Sequence, residues 1–384
     1  MNGPLHGITV LDLSSVILGP MAGQYLGDMG ADVIKIEGPE GDVTRSIGPR
    51  RNEQMGSLYL ANNRNKRSIV LDLKTPGGQD ILRRLAASAD VLLHSIRTGP
   101  AARLGLSYAA LAAANPRLIY CHVRGFQDDG PYGGRPAYDD IIQALSGLAM
   151  LQKIAAGEPR YVPTIIADKV AAVHAAYAIM LALFHRERTG LGQEVGVPML
   201  ETMVAFLSHE HLGGAVFEPT VGQMGYEPIR QGMRRPFATL DGYLCLLPYN
   251  DPHWRQFFVL IDRPDLAADP AFATMRGRQG NLQNVYAEIG RQVCRRSNAE
   301  WLALLEPTDI PHAVLNDLED LLDDPHLTTT GFWQHFEHET EGTLRLPVSP
   351  VHLSASPPSI RRLPPRLGEH TVEVLREHGI ESAP

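Results

Sequence analysis

Residues 8–37 have the sequence ITVLDLSSVILGPMAGQYLGDMGADVIKIE, which predicts a strand, a helix and a second strand in close succession. The β-rich run Ile8–Leu13 precedes a helical segment, Gly19–Gly30, which ends on glycine. The run Asp32–Glu37 follows directly. Short β-rich runs separated by a helix of this length favour a βαβ unit, and therefore a parallel sheet.

The same alternation continues through the first half of the chain. Further strands are predicted at Ser68–Leu73, Asp90–Ser95, Leu118–Val123 and Glu194–Val197, and helices at Thr75–Ala89 and Lys169–Arg188. Repeated units of this kind predict an α/β fold with a Rossmann-like architecture.

The later part of the chain predicts a second, smaller domain. Gly213–Arg235 carries scattered Gly, Pro and Arg and is typical of a loop, whereas Asp241-Gly242 predicts a hairpin turn. Residues 252–306 are predicted to be helical, Leu344–Ser354 extended and Gly368–His378 helical. We therefore expect a large Rossmann-like domain at 1–200, a linker at 201–225, a smaller α+β domain at 226–330 and a final segment at 331–384.

Composition excludes several classes of protein. The 384 residues include 35 Lys and Arg against 43 Asp and Glu, a net charge of -8, whereas a general nucleic-acid-binding protein is expected to be basic. The three cysteines, Cys121, Cys245 and Cys294, match neither a disulfide framework nor a zinc site. Their number and spacing favour a reducing, cytoplasmic location.

The sequence predicts neither export nor membrane insertion. Residues 1–7 lack a basic stretch, and Ile8–Leu13 is too short for the apolar part of a signal peptide. The longest apolar run, Val170–Phe184, is shorter than the roughly 20 residues that span a bilayer. We expect this run to form a buried core helix and the protein to have no membrane partner.

Familiar nucleotide and metal motifs are missing. The loop Ser14–Pro20 lacks the Gly-x-Gly-x-x-Gly pattern of dinucleotide-binding proteins, and no Gly-Lys-Ser/Thr of a phosphate-binding loop occurs. His209-Glu-His211 and His335–His338 do not match His-Glu-x-x-His, so no metal is expected.

Asp168 has two interpretations. It separates the apolar Thr164–Ala167 from the long predicted helix, so it suits the N-cap position, where a carboxylate accepts hydrogen bonds from the first turn. The same position suits a catalytic nucleophile, because the helix dipole favours the ionised carboxylate.

Basic residues follow two of the predicted strands. Lys74, Arg97 and Arg103 lie in loops at the carboxyl ends of strands, where α/β proteins bind ligands, and would suit phosphate groups. The alternative is that they are solvated surface cations. A further basic group, Asn63–Arg67, directly precedes a strand.

Taken together, these segments resemble the family III coenzyme A transferases, which include formyl-CoA and carnitine CoA transferases and the 2-methylacyl-CoA racemases. The resemblance covers nearly the whole chain in order. It rests on Val10–Leu13, Gly19-Pro20, Leu26–Glu37, Asn63–Lys74, Arg103–Leu106, Asn115–Tyr120, Gly130-Pro131, Tyr138-Asp139, Arg188–Gln193, Asp241-Gly242 and Leu367–Leu375.

The resemblance implies a fold and an assembly. A large Rossmann-like domain and a smaller α+β domain are expected, with the final segment returning to the large domain. Two ring-shaped subunits are expected to interlock as a homodimer. CoA or acyl-CoA would bind as a substrate, with a free carboxylic acid as the second substrate and no tightly bound cofactor.

Individual residues also carry over. Asp168 matches the catalytic aspartate of the family, which forms an acyl anhydride and then an aspartyl-CoA thioester. Residues that match the CoA groove are Val16, Ile17, Leu18, Leu71, Asp72, Leu73 and Lys74; Ser95, Ile96, Arg97 and Arg103 match the adenine and phosphate contacts; Ala137, Tyr138 and Asp139 match the stretch beside the pantetheine arm.

Departures from the pattern limit the substrate. Ile17 replaces a Gln of the formyl-CoA transferases, and Gly38 and Pro136 replace basic residues. We expect an acyl-CoA:carboxylate CoA transferase for a small organic or dicarboxylic acid, with Arg160, Arg230, Arg234 and Arg235 as candidates for binding a second carboxylate. The alternatives are a 2-methylacyl-CoA racemase, although Tyr138 replaces its catalytic His, and a non-catalytic acyl-CoA-binding protein.

Overall fold

The structure is a computed structural model that describes residues 3–380. Met1, Asn2 and residues 381–384 lie outside it, so the prediction that residues 1–7 form no export signal falls partly outside the described chain. The chain divides into two compact units. The first contains residues up to 150, 160–208 and 328 onward, and the second contains 151–159 and 209–327.

The first part of the chain alternates strands and helices as predicted. To residue 211 the elements are β1 (Thr9–Asp12), α1 (Leu18–Asp28), β2 (Asp32–Glu37), α2 (Ser57–Asn62), β3 (Lys66–Val70), α3 (Pro76–Ala86), β4 (Val91–His94), α4 (Thr98–Arg103), α5 (Tyr108–Ala114), β5 (Ile119–Arg124), α6 (Asp139–Leu145), α7 (Leu148–Ala156), α8 (Ile166–Thr189), β6 (Glu194–Pro198) and α9 (Met199–His211). Residues 201–211, expected in a linker, are therefore helical.

Six parallel strands form one sheet in the order β3-β2-β1-β4-β5-β6. The predicted α/β architecture is confirmed. From β1 the chain builds outward to β3, then returns to place β4 on the other side of β1, so the strand order reverses between β1 and β4. A crevice outside the carboxyl ends of the strands is expected at such a reversal.

Strand β3 begins and ends earlier than the predicted Ser68–Leu73. Its first residue, Lys66, is fully buried, and its Nζ lies 2.8 Å from Oδ2 of Asp12 at the end of β1. A lysine is stable in the sheet because its ammonium group pairs with that carboxylate, which apolar patterning does not reveal.

Buried charges also support the loop that follows β1. Lys35 on β2 donates to Ser14 O (3.1 Å) and to Asp42 Oδ2 (2.9 Å), and all three residues are buried. In the basic group before β3, Arg64 pairs with Asp28 at 2.7 Å. These cations stabilise the fold and are not free to bind a ligand.

Helix α8 has one buried and one exposed side. Its buried side is rich in alanine, including Ala171, Ala172 and Ala175, and it packs against α1, β5, β6 and α6. Exposed apolar residues four or three positions apart form a stripe on the other side, here named the α8 stripe: Val173, Tyr177, Leu181 and Phe184. The prediction of a buried core helix is therefore only half correct. By length and composition alone, α8 is the one described helix that could cross a membrane, and half of that segment is buried in the protein.

The second unit is α+β. Its elements are α10 (Glu227–Arg230), β7 (Phe237–Ala238), β8 (Tyr243–Leu246), α11 (Asp251–Leu260), α12 (Pro264–Ala268), α13 (Pro270–Ala273), α14 (Met275–Gly280), α15 (Leu282–Val293), α16 (Asn298–Leu305) and β9 (His312–Val314), followed by α17 (Pro325–Thr329) at its boundary. Strands β7, β8 and β9 form an antiparallel sheet, and the hairpin predicted around Asp241-Gly242 is present. The core contains Trp254, Phe257, Phe258 and Trp301.

The final segment belongs to the first unit. Strands β10 (Trp333–His338) and β11 (Gly342–Pro347) form an antiparallel hairpin, which replaces part of the extended run predicted at Leu344–Ser354. The last helix, α18 (Thr371–Glu377), contacts β3. There Arg67 pairs with Glu373 at 2.9 Å and with Glu377 at 2.8 Å.

Candidate active site

A cavity of about 240 Å³ lies at the carboxyl ends of β1, β4 and β5, where the strand order reverses. All of its lining residues belong to the first unit. They are Ser15, Val16, Leu18, Ser95, Arg97, Val123, Arg124, Gly125, Arg135, Pro136, Ala137, Tyr138, Asp168 and Met199. Three arginines and a single carboxyl group therefore face one another around this cavity.

Asp168 is the third residue of α8 and does not cap it. The N-cap position is occupied by Ile165, which makes no side-chain capping bond. Asp139 caps the helix instead, because its Oδ1 accepts hydrogen bonds from the N–H groups of Ala167 (2.6 Å) and Asp168 (3.2 Å). The interpretation of Asp168 as an N-cap is therefore wrong, and its carboxyl group is left free for another role.

The Asp168 side chain has no hydrogen-bond partner within residues 3–380, although the residue is only 8% exposed. Burial, and after it the negative charge of Asp139, raise the pKa of Asp168 to about 7. The helix dipole is expected to favour the ionised carboxylate, whereas burial and the charge of Asp139 act in the opposite direction. The result is a poorly solvated carboxylate that is only partly ionised near neutral pH.

One wall of the cavity is formed by the loop between β1 and α1, which contributes Val16, and by Leu18 at the start of α1. Val16 has φ of 72°, a left-handed conformation that is strained for a β-branched residue. Helix α1 begins two residues later, and its N-cap, Ile17, makes no side-chain capping bond. The N–H groups of Leu18 and Gly19 have no acceptor within their own helix, and Leu18 lines the cavity.

The cavity brings together only part of the predicted CoA-binding set. Val16, Leu18, Ser95, Arg97, Ala137 and Tyr138 line it. The lining does not include the other predicted residues, which are Ile17, Leu71, Asp72, Leu73, Lys74, Ile96, Arg103 and Asp139. Lys74, Arg97 and Arg103 are exposed, whereas Ile17, Leu71 and Asp139 are buried.

Sequence reasoning missed Arg124 and Arg135, which also line the cavity. The signal that identified Arg97, a cation directly after a strand, applies equally to Arg124. The strand predicted at Leu118–Val123 already places Arg124 directly after a strand, and in the structure Arg124 is the last residue of β5. Arg135 lies over the ring of Tyr132 in an exposed loop, and no pattern distinguishes it from a surface arginine.

The other candidate ligands have different surroundings. Between residues 3 and 380 no group of three His, Cys, Asp or Glu side chains is placed to hold a metal ion. His211 accepts a hydrogen bond from the Tyr226 N–H, and His338 bonds to Pro364 O. The lining of the Asp168 cavity does not include the candidate carboxylate-binding residues Arg160, Arg230, Arg234 and Arg235.

Comparison with known proteins identifies the family. The model for CoA-transferase family III matches residues 5–371. The chain belongs to CoA-transferase family III. It is accordingly a CoA-transferase, as the sequence resemblance predicted.

This family III CoA-transferase is similar to enzymes whose names specify their substrates. It is 35% identical to succinate–glutarate CoA-transferase of Agrobacterium fabrum, over 97% of this chain and 95% of that protein. It is 31% identical to succinyl-CoA:glutarate CoA-transferase of Homo sapiens, over 97% of this chain and 86% of that protein. A crystal structure of a CaiB/BaiF family protein from Brucella suis superposes with a TM-score of 0.83 and 31% identity, covering 98% of this chain and all of that one.

Proposed function

We propose that this family III CoA-transferase moves CoA between small carboxylic acids, dicarboxylic acids among them, and that Asp168 is the nucleophile. The observation that carries the proposal is the unpaired, buried carboxyl group of Asp168 in the cavity wall, with its pKa raised to about 7. A carboxylate without solvation or hydrogen bonds is reactive toward an acyl carbon.

The first half-reaction transfers CoA to the enzyme. An Asp168 oxygen attacks the thioester carbonyl of the donor, the C–S bond breaks, and a mixed anhydride and CoA thiolate form. The thiolate then attacks the aspartyl carbonyl, which breaks the anhydride and releases the donor acid as a carboxylate. The enzyme is left as an aspartyl-CoA thioester, so the energy of the thioester bond is retained.

The second half-reaction reverses these steps on the acceptor. The acceptor carboxylate attacks the aspartyl thioester and displaces CoA thiolate, which gives a second mixed anhydride. Attack of the thiolate on the acceptor carbonyl forms the new acyl-CoA and restores the Asp168 carboxylate. Each step passes through an oxyanion, and the proposed donor is the N–H of Leu18, the first residue of α1, which lines the cavity.

The proposed CoA contacts follow the carboxyl edge of the sheet. Val16–Leu18, Leu71–Lys74 and Ser95–Arg97 follow β1, β3 and β4, and the exposed cations Arg97 and Arg103 suit the CoA phosphates. Ala137–Asp139 lie beside Asp168, where the pantetheine arm would end. Two relatives are named for succinate or succinyl-CoA and glutarate, which supports a dicarboxylic substrate.

The assembly proposed is an interlocked, ring-shaped homodimer in the cytoplasm. The exposed α8 stripe supports it, since an apolar surface of this length needs a covering partner. The racemase alternative is disfavoured by the cavity itself. Its described lining contains no histidine, and Tyr138, at the position of the racemase histidine, is 69% exposed.

Mass spectrometry tests the proposal directly. The protein is incubated with succinyl-CoA, acetyl-CoA or butyryl-CoA and a panel of free acids, and intact protein and peptides are analysed. We expect an acyl or CoA adduct on the Asp168 peptide and new acyl-CoA species in solution. Asp168→Asn, with CoA binding retained, should give neither product.

Two other results would contradict the proposal. Deuterium at the α-carbon of a 2-methylacyl-CoA in heavy water, without CoA exchange, would establish a racemase. CoA binding without adduct or exchange for any acid would indicate a binding protein.

A further inference from the structure

The Asp168 cavity contains an arginine that the two half-reactions do not use. Arg124 ends β5, lines the cavity with Asp168, and has a side chain that is 10% exposed. Its Nη1 pairs with Asp128, and the other Asp128 oxygen accepts a hydrogen bond from Thr98 Oγ1 (2.8 Å). Its Nε is buried and has no partner within the described chain.

An unpaired donor on a buried guanidinium is costly, so it calls for a partner, which beside a cavity is a ligand, an ion or a water molecule. Asp128 uses only the Nη1 end of the fork. The rest of the guanidinium matches a second carboxylate, because arginine binds carboxylates through pairs of parallel N–H groups.

Resting on the function proposed above, we propose that Arg124 binds the distal carboxylate of a dicarboxylic substrate while the reacting carboxyl group meets Asp168. Arg124 then determines specificity, since a monocarboxylic acid of the same length leaves this donor unpaired. Charge complementarity supports the assignment: the described lining contains three arginines, one of them paired with Asp128, against the single carboxyl group of Asp168, which favours a dianionic substrate.

The phosphates of CoA are the other anions that could meet an arginine in this cavity. Their natural partners are the exposed Arg97 and Arg103, because large hydrated groups bind at a surface. Arg135 is also exposed and lies over the Tyr132 ring at 4.7 Å. Arg124 differs from all three by its burial, which suits a small carboxylate held close to the reacting carbon.

The test compares acids matched in length, succinate with butyrate and glutarate with valerate, at a fixed acyl-CoA donor. In a reaction with two half-reactions, kcat/KM for the acceptor reports only the second, so the donor does not affect the ratio. We expect Arg124→Gln to lower the dicarboxylate-to-monocarboxylate ratio of kcat/KM by about 10- to 100-fold, the loss of a charged hydrogen-bonded contact. Arg124→Lys should lie between that variant and the wild type.

Arg135→Gln is the matched control, because it removes the same charge from the same cavity without removing a buried donor. It should lower use of both acids in parallel and leave the ratio within about threefold of the wild-type value. The Kd for CoA, measured by calorimetry, should stay unchanged in Arg124→Gln and would rise if Arg124 bound the phosphates.

The outcomes separate the two proposals. If the wild type transfers CoA but the dicarboxylate-to-monocarboxylate ratio of kcat/KM is the same in the wild type, Arg124→Gln and Arg124→Lys, Arg124 does not bind the distal carboxylate. The proposed transferase mechanism is unaffected by that result. If the wild type transfers CoA to neither class of acid, both proposals fail. Transfer of CoA to butyrate by Arg124→Gln would confirm that this variant is folded. If Arg124→Gln does not fold, the ratio is compared between Arg124→Lys and the wild type.

Discussion

Asp139 and Asp168 place two carboxyl groups at the start of one helix, and their surroundings give them different roles. Asp139 accepts hydrogen bonds from Gln143 (2.6 Å) and from the backbone of α8. Asp168 makes none through its side chain, and its pKa is raised to about 7 by burial and by the charge of Asp139. Because the nucleophile is the ionised form, kcat/KM for the acyl-CoA donor should rise as pH increases through about 7.

Asp139→Asn should move this rise toward lower pH. The amide oxygen can still accept from the α8 backbone, but the negative charge that raises the pKa of Asp168 is removed. We expect a shift of about one pH unit in the kcat/KM profile. Asp140→Asn, an exposed neighbour on the same turn, is the control and should leave the midpoint in place. A midpoint unchanged or raised in Asp139→Asn would show that Asp139 does not control the ionisation of Asp168.

Individual residues show what sequence could and could not reveal about the site. Asp168 was identified as a candidate from its position before a long apolar helix and from the family resemblance. Its free carboxyl group could not be predicted, because the cap comes from Asp139, 29 residues earlier in the chain. Arg124 was predictable from its place at the end of a strand, but its unpaired Nε depends on packing that no pattern encodes.

At the scale of elements, the sheet depends on a buried ion pair that links two strands lying on either side of β2. Lys66 and Asp12 are both fully buried, and they join β3 to β1 beside the loop that carries Val16. Apolar periodicity located the strands, and β2 has its predicted limits, Asp32–Glu37. Apolar periodicity did not locate the start of β3, because that strand begins with the charged residue Lys66, which is stable in the sheet only with its partner Asp12.

Lys66→Met should lower the free energy of unfolding by about 3–5 kcal/mol, because Asp12 is then buried without its cation. Burial lowers the pKa of Lys66 to about 8, so urea unfolding should be followed well below that pH, where the amine is charged. Arg83→Met is the control: its pair with Asp80 at 3.4 Å is exposed and should contribute less than about 1 kcal/mol. Equal losses for the two variants would contradict a structural role for the buried pair.

At the scale of the whole molecule, the α8 stripe sets the expected state of assembly. Val173, Tyr177, Leu181 and Phe184 are each at least 46% exposed in the single chain. Light scattering should give twice the mass of one chain, since a second copy would cover this surface. Leu181→Glu together with Phe184→Glu should weaken the dimer or cause aggregation, whereas Arg83→Glu, at an exposed position on α3, should not. A monomeric wild type, or binding to lipid vesicles through the stripe, would contradict the dimer.

The return of residues 328–380 to the first unit has a consequence for how the protein is made. Arg45 and Tyr59 near the start of the chain bond to Pro365 O, and Asn65 bonds to Ser359 O. A ribosome delivers these early residues long before their partners, so the first unit completes its folding only when synthesis is nearly over. A stop codon anywhere before residue 359 would leave the side chains of Arg45, Tyr59 and Asn65 without these backbone partners, and chaperones and proteases recognise such incompletely folded chains. Truncated products should therefore be degraded, and a stop codon shortly before residue 359 should be as severe as one early in the chain.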